Sequence, residues 1–113
     1  MKIIKNKISI EELKQIAEET FGDLVKAVVD IEKGIMAIDG ELHSDEEALL
    51  IENGSNQHNL WGINLYPNNN KENRIEFDSI INVRPLQKNK TRDIDNPEIK
   101  QKIIQIVNNL IEK

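Results

Sequence analysis

Apolar positions recur along this chain with two different periods, and the change of period marks where the structure should change. Near the start, Ile10, Leu13, Ile16, Ala17 and Phe21 form one stripe at helical spacing. Ser9 ahead of the stripe and Glu12 three residues on make a capping box, in which each side chain answers an orphan backbone N–H. Ile8 and Leu13 add a hydrophobic staple, and Gly22 accepts cheaply the left-handed conformation that ends a helix. The pattern predicts a helix from about Ile10 to Phe21. A second stripe of Ile99, Ile103, Ile106, Val107 and Leu110, with Lys100, Gln101, Gln105 and Asn109 opposite, predicts a helix running to the C-terminus. Asn96 is its N-cap, and Pro97 suits the first helical position, whose N–H has no intrahelical partner.

Between these helices the period falls to two. In "LVKAVVDIEKGIMAI", residues 24–38, β-branched runs flank "EKG", a tight loop in which Gly34 supplies positive φ. "NLWGINLYP" sets Leu60, Gly62 and Asn64 against Trp61, Ile63 and Leu65, and Pro67 stops it. "NRIEFDSIINVRP" alternates most cleanly, with Ile75, Phe77, Ser79, Ile81 and Val83 opposite Glu76, Asp78, Ile80, Asn82 and Arg84. "NNNKEN" joins these last two strands as a polar hairpin loop. "GELHSDEEALLIENGS", residues 40–55, fits two readings. Ser44 and Glu47 stand at capping-box spacing for a short helix, whereas "ALLI" has no polar face and "NGS" reads as a turn. The missing polar face tips the balance to a buried strand. The expected architecture is α+β: an N-terminal helix, a four- to five-stranded mostly antiparallel meander sheet and a C-terminal helix. Both helices are able to cover one face, and residues 1–113 form a single domain.

Composition narrows the class. The 113 residues suit one domain with one core, at 38% hydrophobic and 31% charged content. Without cysteine there is no disulfide, no thiolate metal site and no cysteine nucleophile. The longest apolar runs, such as "ALLI", fall far short of the ~20 residues that span a bilayer. "MKIIKNKISIEEL" lacks the sustained apolar stretch of a signal peptide, so a cytoplasmic address is expected by elimination. The net charge of −5 argues against nucleic acid as a partner.

Three groups of residues could carry chemistry. His43 with Asp45 and Glu47 could hold a divalent metal for hydrolysis, with His58 or Asp39 as a further ligand. As plain structure, the same acids occupy a helix first turn or a solvated strand lead-in. "RPLQKNKTR", residues 84–92, places four cations and no acid beyond the strongest strand. There Arg84 and Arg92 could fork onto a phosphate or carboxylate, with Asn89 as an added donor. A surface loop balancing an acidic body explains those cations equally. Trp61, Asn64, Asp78 and Asn82 fall on neighbouring strands near Arg84, although a lone Trp is most often core. Asn64 and Asn82 inform more, because a buried mid-strand Asn must find hydrogen bonds. A Gly-rich phosphate loop, a G-x-S-x-G elbow and an H-E-x-x-H zinc helix are all missing, so no motif names a cofactor or a reaction.

The segments "GELHSDEEALLIENGS", "LWGINLYP" and "EFDSIINVRP", in this order and spacing, resemble a small family of bacterial and archaeal proteins carried as a domain of unknown function. The resemblance covers nearly the whole chain and implies a complete stand-alone protein, but it brings no catalytic role. From the residues, the leading expectation is a binding module for an anionic small molecule or partner, using Asn64, Asp78, Asn82, Arg84, Asn89, Arg92 and Trp61. The alternatives are the metal-assisted hydrolase and a homodimeric interaction module joined through a sheet edge or apolar patch.

Overall fold

In the computed structural model, which describes residues 1–112, the chain opens on a short strand that its pattern did not announce. In chain order the elements are strands β1 (Lys2–Ile4) and β2 (Ile8–Ser9), helix α1 (Ile10–Glu19), strands β3 (Val25–Asp30) and β4 (Ile35–Ile38) and helix α2 (His43–Glu52). Strands β5 (Leu60–Leu65) and β6 (Ile75–Glu76), helix α3 (Pro97–Leu110) and strand β7 (Ile111–Glu112) follow. Ser9 caps α1 as its spacing predicts, its hydroxyl accepting the Glu12 N–H at 3.1 Å. Asn96 caps α3 in the same way, accepting from the Glu98 N–H at 2.8 Å. Gly34 closes the β3–β4 hairpin with φ at +68°.

Five strands form one antiparallel sheet in the order β1-β4-β3-β5-β6. The meander expectation is corrected at two joints: the unannounced β1 pairs with β4 rather than with β3, and β5 pairs with β3 rather than with β4. Helix α2 carries the chain across that face of the sheet and covers what it crosses. The sheet therefore has two cores. On one face Val25, Ala27, Val29, Met36, Ile38, Trp61, Ile63 and Leu65 meet Leu13, Ile16 and Ala17 of α1 and Ile103, Ile106 and Val107 of α3. On the other, Val28, Ala37 and Leu60 meet Leu50 of α2.

The preference for a strand in "ALLI" is also corrected. The stretch is helical, and its apolar face is hard to see because polar residues share it: His43, Glu46 and Leu50 are its buried positions. These stand three and four residues apart, which puts them on one side of a helix. The expected Ser44 cap is absent; the N-cap residue is Leu42, with no side-chain cap.

Two further boundaries move. Helix α3 stops at Leu110, and the buried Ile111 pairs instead with Ile8 in a small parallel ladder. The last predicted strand survives only as β6. Beyond it Ser79 caps a 3₁₀ turn over Ile80–Asn82 through the Ile81 N–H. Here a side chain replaces a strand. The Asn82 Oδ1 accepts the Gly62 N–H at 2.8 Å while its Nδ2 donates to the Gly62 carbonyl at 2.9 Å. One amide thus imitates the backbone of a neighbouring strand. Gly62 is required there, since a Cβ would lie 2.6 Å from Ser79 Cβ and Oγ.

Asn82→Ala should therefore strip partners from two buried groups of Gly62 at once. The expected loss is about 2–4 kcal/mol, read as a lower urea midpoint at unchanged slope. A loss below about 0.5 kcal/mol, the range of ordinary surface substitutions, would show that the bracket does not hold β5 in place.

Candidate functional site

Four of the buried or charged residues singled out above meet at the N-terminus of α2. Lys26 of β3, Asn64 of β5, His43 and Ser44 of α2, and Asp78 and Arg92 from the segments after β6 line a cleft of about 200 Å³. Leu24, Leu42 and Ile80 complete its wall. Asn64, Asp78 and Arg92 were expected to share a ligand; His43 joins them from a different expectation, and Lys26 was not foreseen.

His43 sits at the centre of the arrangement. Its Nε2 lies 2.8 Å from the Ile63 carbonyl, so that nitrogen carries a proton and donates it. Burial lowers the imidazole pKa, with Lys26 acting in the same direction; the Ile63 carbonyl, Asn64 and Asp78 pull the other way. The ring is therefore held toward its neutral form. Asn64 is 7% exposed. Its Nδ2 donates to Glu76 Oε1 at 2.8 Å and to the Asp78 carbonyl at 3.2 Å, while its Oδ1 has no partner among the described residues. Arg92 Nε holds Asp78 Oδ1 at 2.6 Å, in a pair about half exposed to solvent. Such a pair contributes at most about 1 kcal/mol to stability, and it leaves the rest of the guanidinium fork to other partners.

The remaining expected residues are placed elsewhere. Arg84 Nη2 pairs with Glu47 at 3.1 Å, its Nε and Nη1 donate to the Ile81 and Gln57 carbonyls at 2.9 Å, and its guanidinium lies 4.9 Å from the Trp61 ring centre. Every face of that fork is already engaged. Burial lowers the Arg84 pKa and Glu47 opposes the shift. Asn82 is the bracket on Gly62 and also donates to the Arg92 carbonyl at 3.0 Å. Asn89 ties its own loop: its Nδ2 donates to the Asn82 and Asp93 carbonyls at 2.7 and 2.8 Å, and its Oδ1 accepts from the Asp95 N–H at 2.7 Å. Trp61 is core. These residues build the site's support rather than its walls.

The metal expectation fares differently. On α2 Asp45 lies about 200° around the axis from both His43 and Glu47 and points away from them, whereas His43 and Glu47, four residues apart, share a face. Glu47 is taken by Arg84, and among the described residues no three His, Asp or Glu side chains are placed to share one ion.

Sequence reasoning did not single out Glu46 from the acids beside His43. It is fully buried one turn from His43, and its pKa is raised to about 9, chiefly by desolvation. The Gly40 N–H donates to its Oε2 at 2.9 Å and favours the charged form, as do Lys26 and the N-terminus, but too weakly; Asp39 works against them. Gly40 has no room for a side chain, since a Cβ would stand 2.7 Å from Glu46 Cγ. The spacing 43, 46, 50 was the available signal.

A five-stranded antiparallel sheet with helices on both faces and a small polar cleft at one helix N-terminus define an α+β protein. The chain belongs to DUF5674, a family described as proteins of unknown function, whose family model matches residues 2–110. No curated protein and no solved structure matches it. Among the described residues no helix is long and apolar enough to cross a membrane.

Glu46 titrates near 4.5 when unfolded and near 9 when folded, so the native state keeps a proton that the unfolded state releases between those values. Its contribution is full below the lower value and is lost as pH rises through the upper one. Glu46→Gln should match the parent near pH 4 and exceed it at pH 7–8 by on the order of 2–4 kcal/mol, measured by urea unfolding across pH. An equal or lower stability at pH 8 would refute a protonated Glu46.

Proposed function

We propose that this protein binds a small anionic molecule in the cleft at the start of α2. The observation that carries the reading is a convergence: the N-terminus of α2, which has no side-chain cap, opens into the same cleft as Lys26 and Arg92. Uncapped first-turn N–H groups and the positive end of the helix dipole favour an anion, and two cations beside them add to that field. Lys26 also donates to the Glu41 carbonyl at 3.0 Å, which steadies its ammonium near the cleft. Asp78 holds Arg92 across the opening, and Leu42 and Ile80, both largely exposed, supply an apolar lip. A volume of about 200 Å³ suits a compact ligand better than a nucleotide or a peptide. Arg84 supports the site from outside: its pair with Glu47 links the loop after the 3₁₀ turn to α2. This revises the expected role of Arg84 from ligand contact to brace.

The test is thermal unfolding of the full chain with phosphate, sulfate, small carboxylates and nucleotides. At least one compact anion is expected to raise the midpoint by about 3 °C or more near saturation. Lys26→Ala combined with Arg92→Ala should abolish that rise while Arg84→Ala leaves part of it. The reading fails if none of the anions moves the midpoint, or if the shift survives intact in the Lys26 and Arg92 double variant.

A further inference from the structure

We propose that anion binding in this cleft is coupled to uptake of one proton by His43, and that the preferred ligand is a dianion of the phosphate or sulfate type. The inference rests on the anion-binding reading above and deepens it.

It starts from Asn64. Its amide nitrogen is committed to Glu76 Oε1 and the Asp78 carbonyl, so turning the amide over would set oxygen against oxygen at both contacts. The Oδ1 must therefore stay where it is, buried and without a donor among the described residues. Solvent does not reach it, so a ligand in the cleft is a poor source of the missing hydrogen. The imidazole beside it is the titratable group able to supply one. The Asn64 side chain lies near enough to favour the charged ring, yet the neutral ring spends its single N–H on the Ile63 carbonyl. A second ring proton would add a donor beside Asn64 while the bond to the Ile63 carbonyl stays in place. What opposes that proton is burial together with Lys26 across the cleft.

An anion placed between these groups reverses the balance. The charges facing His43 are Lys26 from β3, Asp78 and Arg92 from the segments after β6, and Glu76 of β6 through Asn64. On its own helix Glu46 carries a proton at neutral pH and Glu47 is paired with Arg84. Within the cleft Lys26 and Arg92 against Asp78 leave one net positive charge. A protonated His43 makes it two, which matches a dianion. A bound dianion lowers the cost of the imidazolium, and the imidazolium tightens the dianion; the coupling is reciprocal.

Sulfate is the probe, because it does not itself titrate near neutrality. Calorimetry on the full chain, in buffers of different ionisation heat, should show about one proton taken up per sulfate bound above the His43 pKa. Affinity should rise up to about tenfold for each pH unit lowered in that range. Ring nitrogen NMR of the unaltered protein should show His43 passing to the doubly protonated form as sulfate is added. His43→Gln, which can still donate to the Ile63 carbonyl, should bind sulfate with no proton uptake and no pH dependence. If that variant does not fold, the ring spectrum decides alone. Sulfate binding with constant affinity and a neutral ring would overturn the coupling and leave the anion site standing. Formate binding as tightly as sulfate would overturn the dianion preference. Absence of sulfate and phosphate binding at every pH would overturn this inference, and the anion site falls with it only if the small carboxylates and nucleotides also fail to bind.

Discussion

The bracket between Asn82 and Gly62 is the contact on which the arrangement around the cleft depends. Backbone groups in a buried strand must be paired, and β5 lacks a full-length neighbour on its outer side because β6 covers only Asn64 and Leu65. Asn82 supplies the missing pair at Gly62. The close approach needs a residue without a side chain at that position, and Ser79 fills the space left open. The same amide reaches the Arg92 carbonyl, while the Ser79 N–H donates to that carbonyl at 3.1 Å. One substitute strand contact thus seals the sheet and fixes the loop that presents Arg92.

The second face of the sheet shows how charge can be carried into a core when its cost is lowered. Helix α2 presents His43 and Glu46 inward beside Leu50, where an all-apolar stripe would have been simpler. Both groups respond by losing charge: burial favours the neutral imidazole and the protonated carboxyl. The ion pair on this helix, Glu47 with Arg84, is largely buried, with side chains 11% and 13% exposed, and three further contacts on the guanidinium offset that burial. Lys26 links the two buried groups electrically, since it acts on the titration of both His43 and Glu46.

The two capped helices and the β3–β4 hairpin were legible from local pattern because their determinants are local. A capping side chain acts over three residues, a helical stripe repeats every turn, and Gly34 answers a conformation demanded within a tight loop. The stretch from Gly40 to Ser55 was misread because periodicity counts His43 and Glu46 as outward-facing. Only their neutral forms belong to the inner stripe, and neutrality is a product of burial rather than a property of residue type. The segment from Phe77 to Arg84 failed for another reason. Its alternation is that of a strand, but the chain turns after β6 and the Asn82 side chain, rather than the backbone, pairs with Gly62.

By itself, then, the sequence determined the helix caps, the β3–β4 turn, which residues of β5 face which side, and the residue types from which a polar site could be made. The tertiary structure decided which of those polar residues share a space. Asn64, Asp78 and Arg92 meet His43 and Lys26, while Arg84, Asn82 and Asn89 are consumed in holding loops. The division follows from range. Caps and turns act between residues a few positions apart, whereas the cleft joins residues from Lys26 to Arg92 through a crossover and a side chain that stands in for a strand.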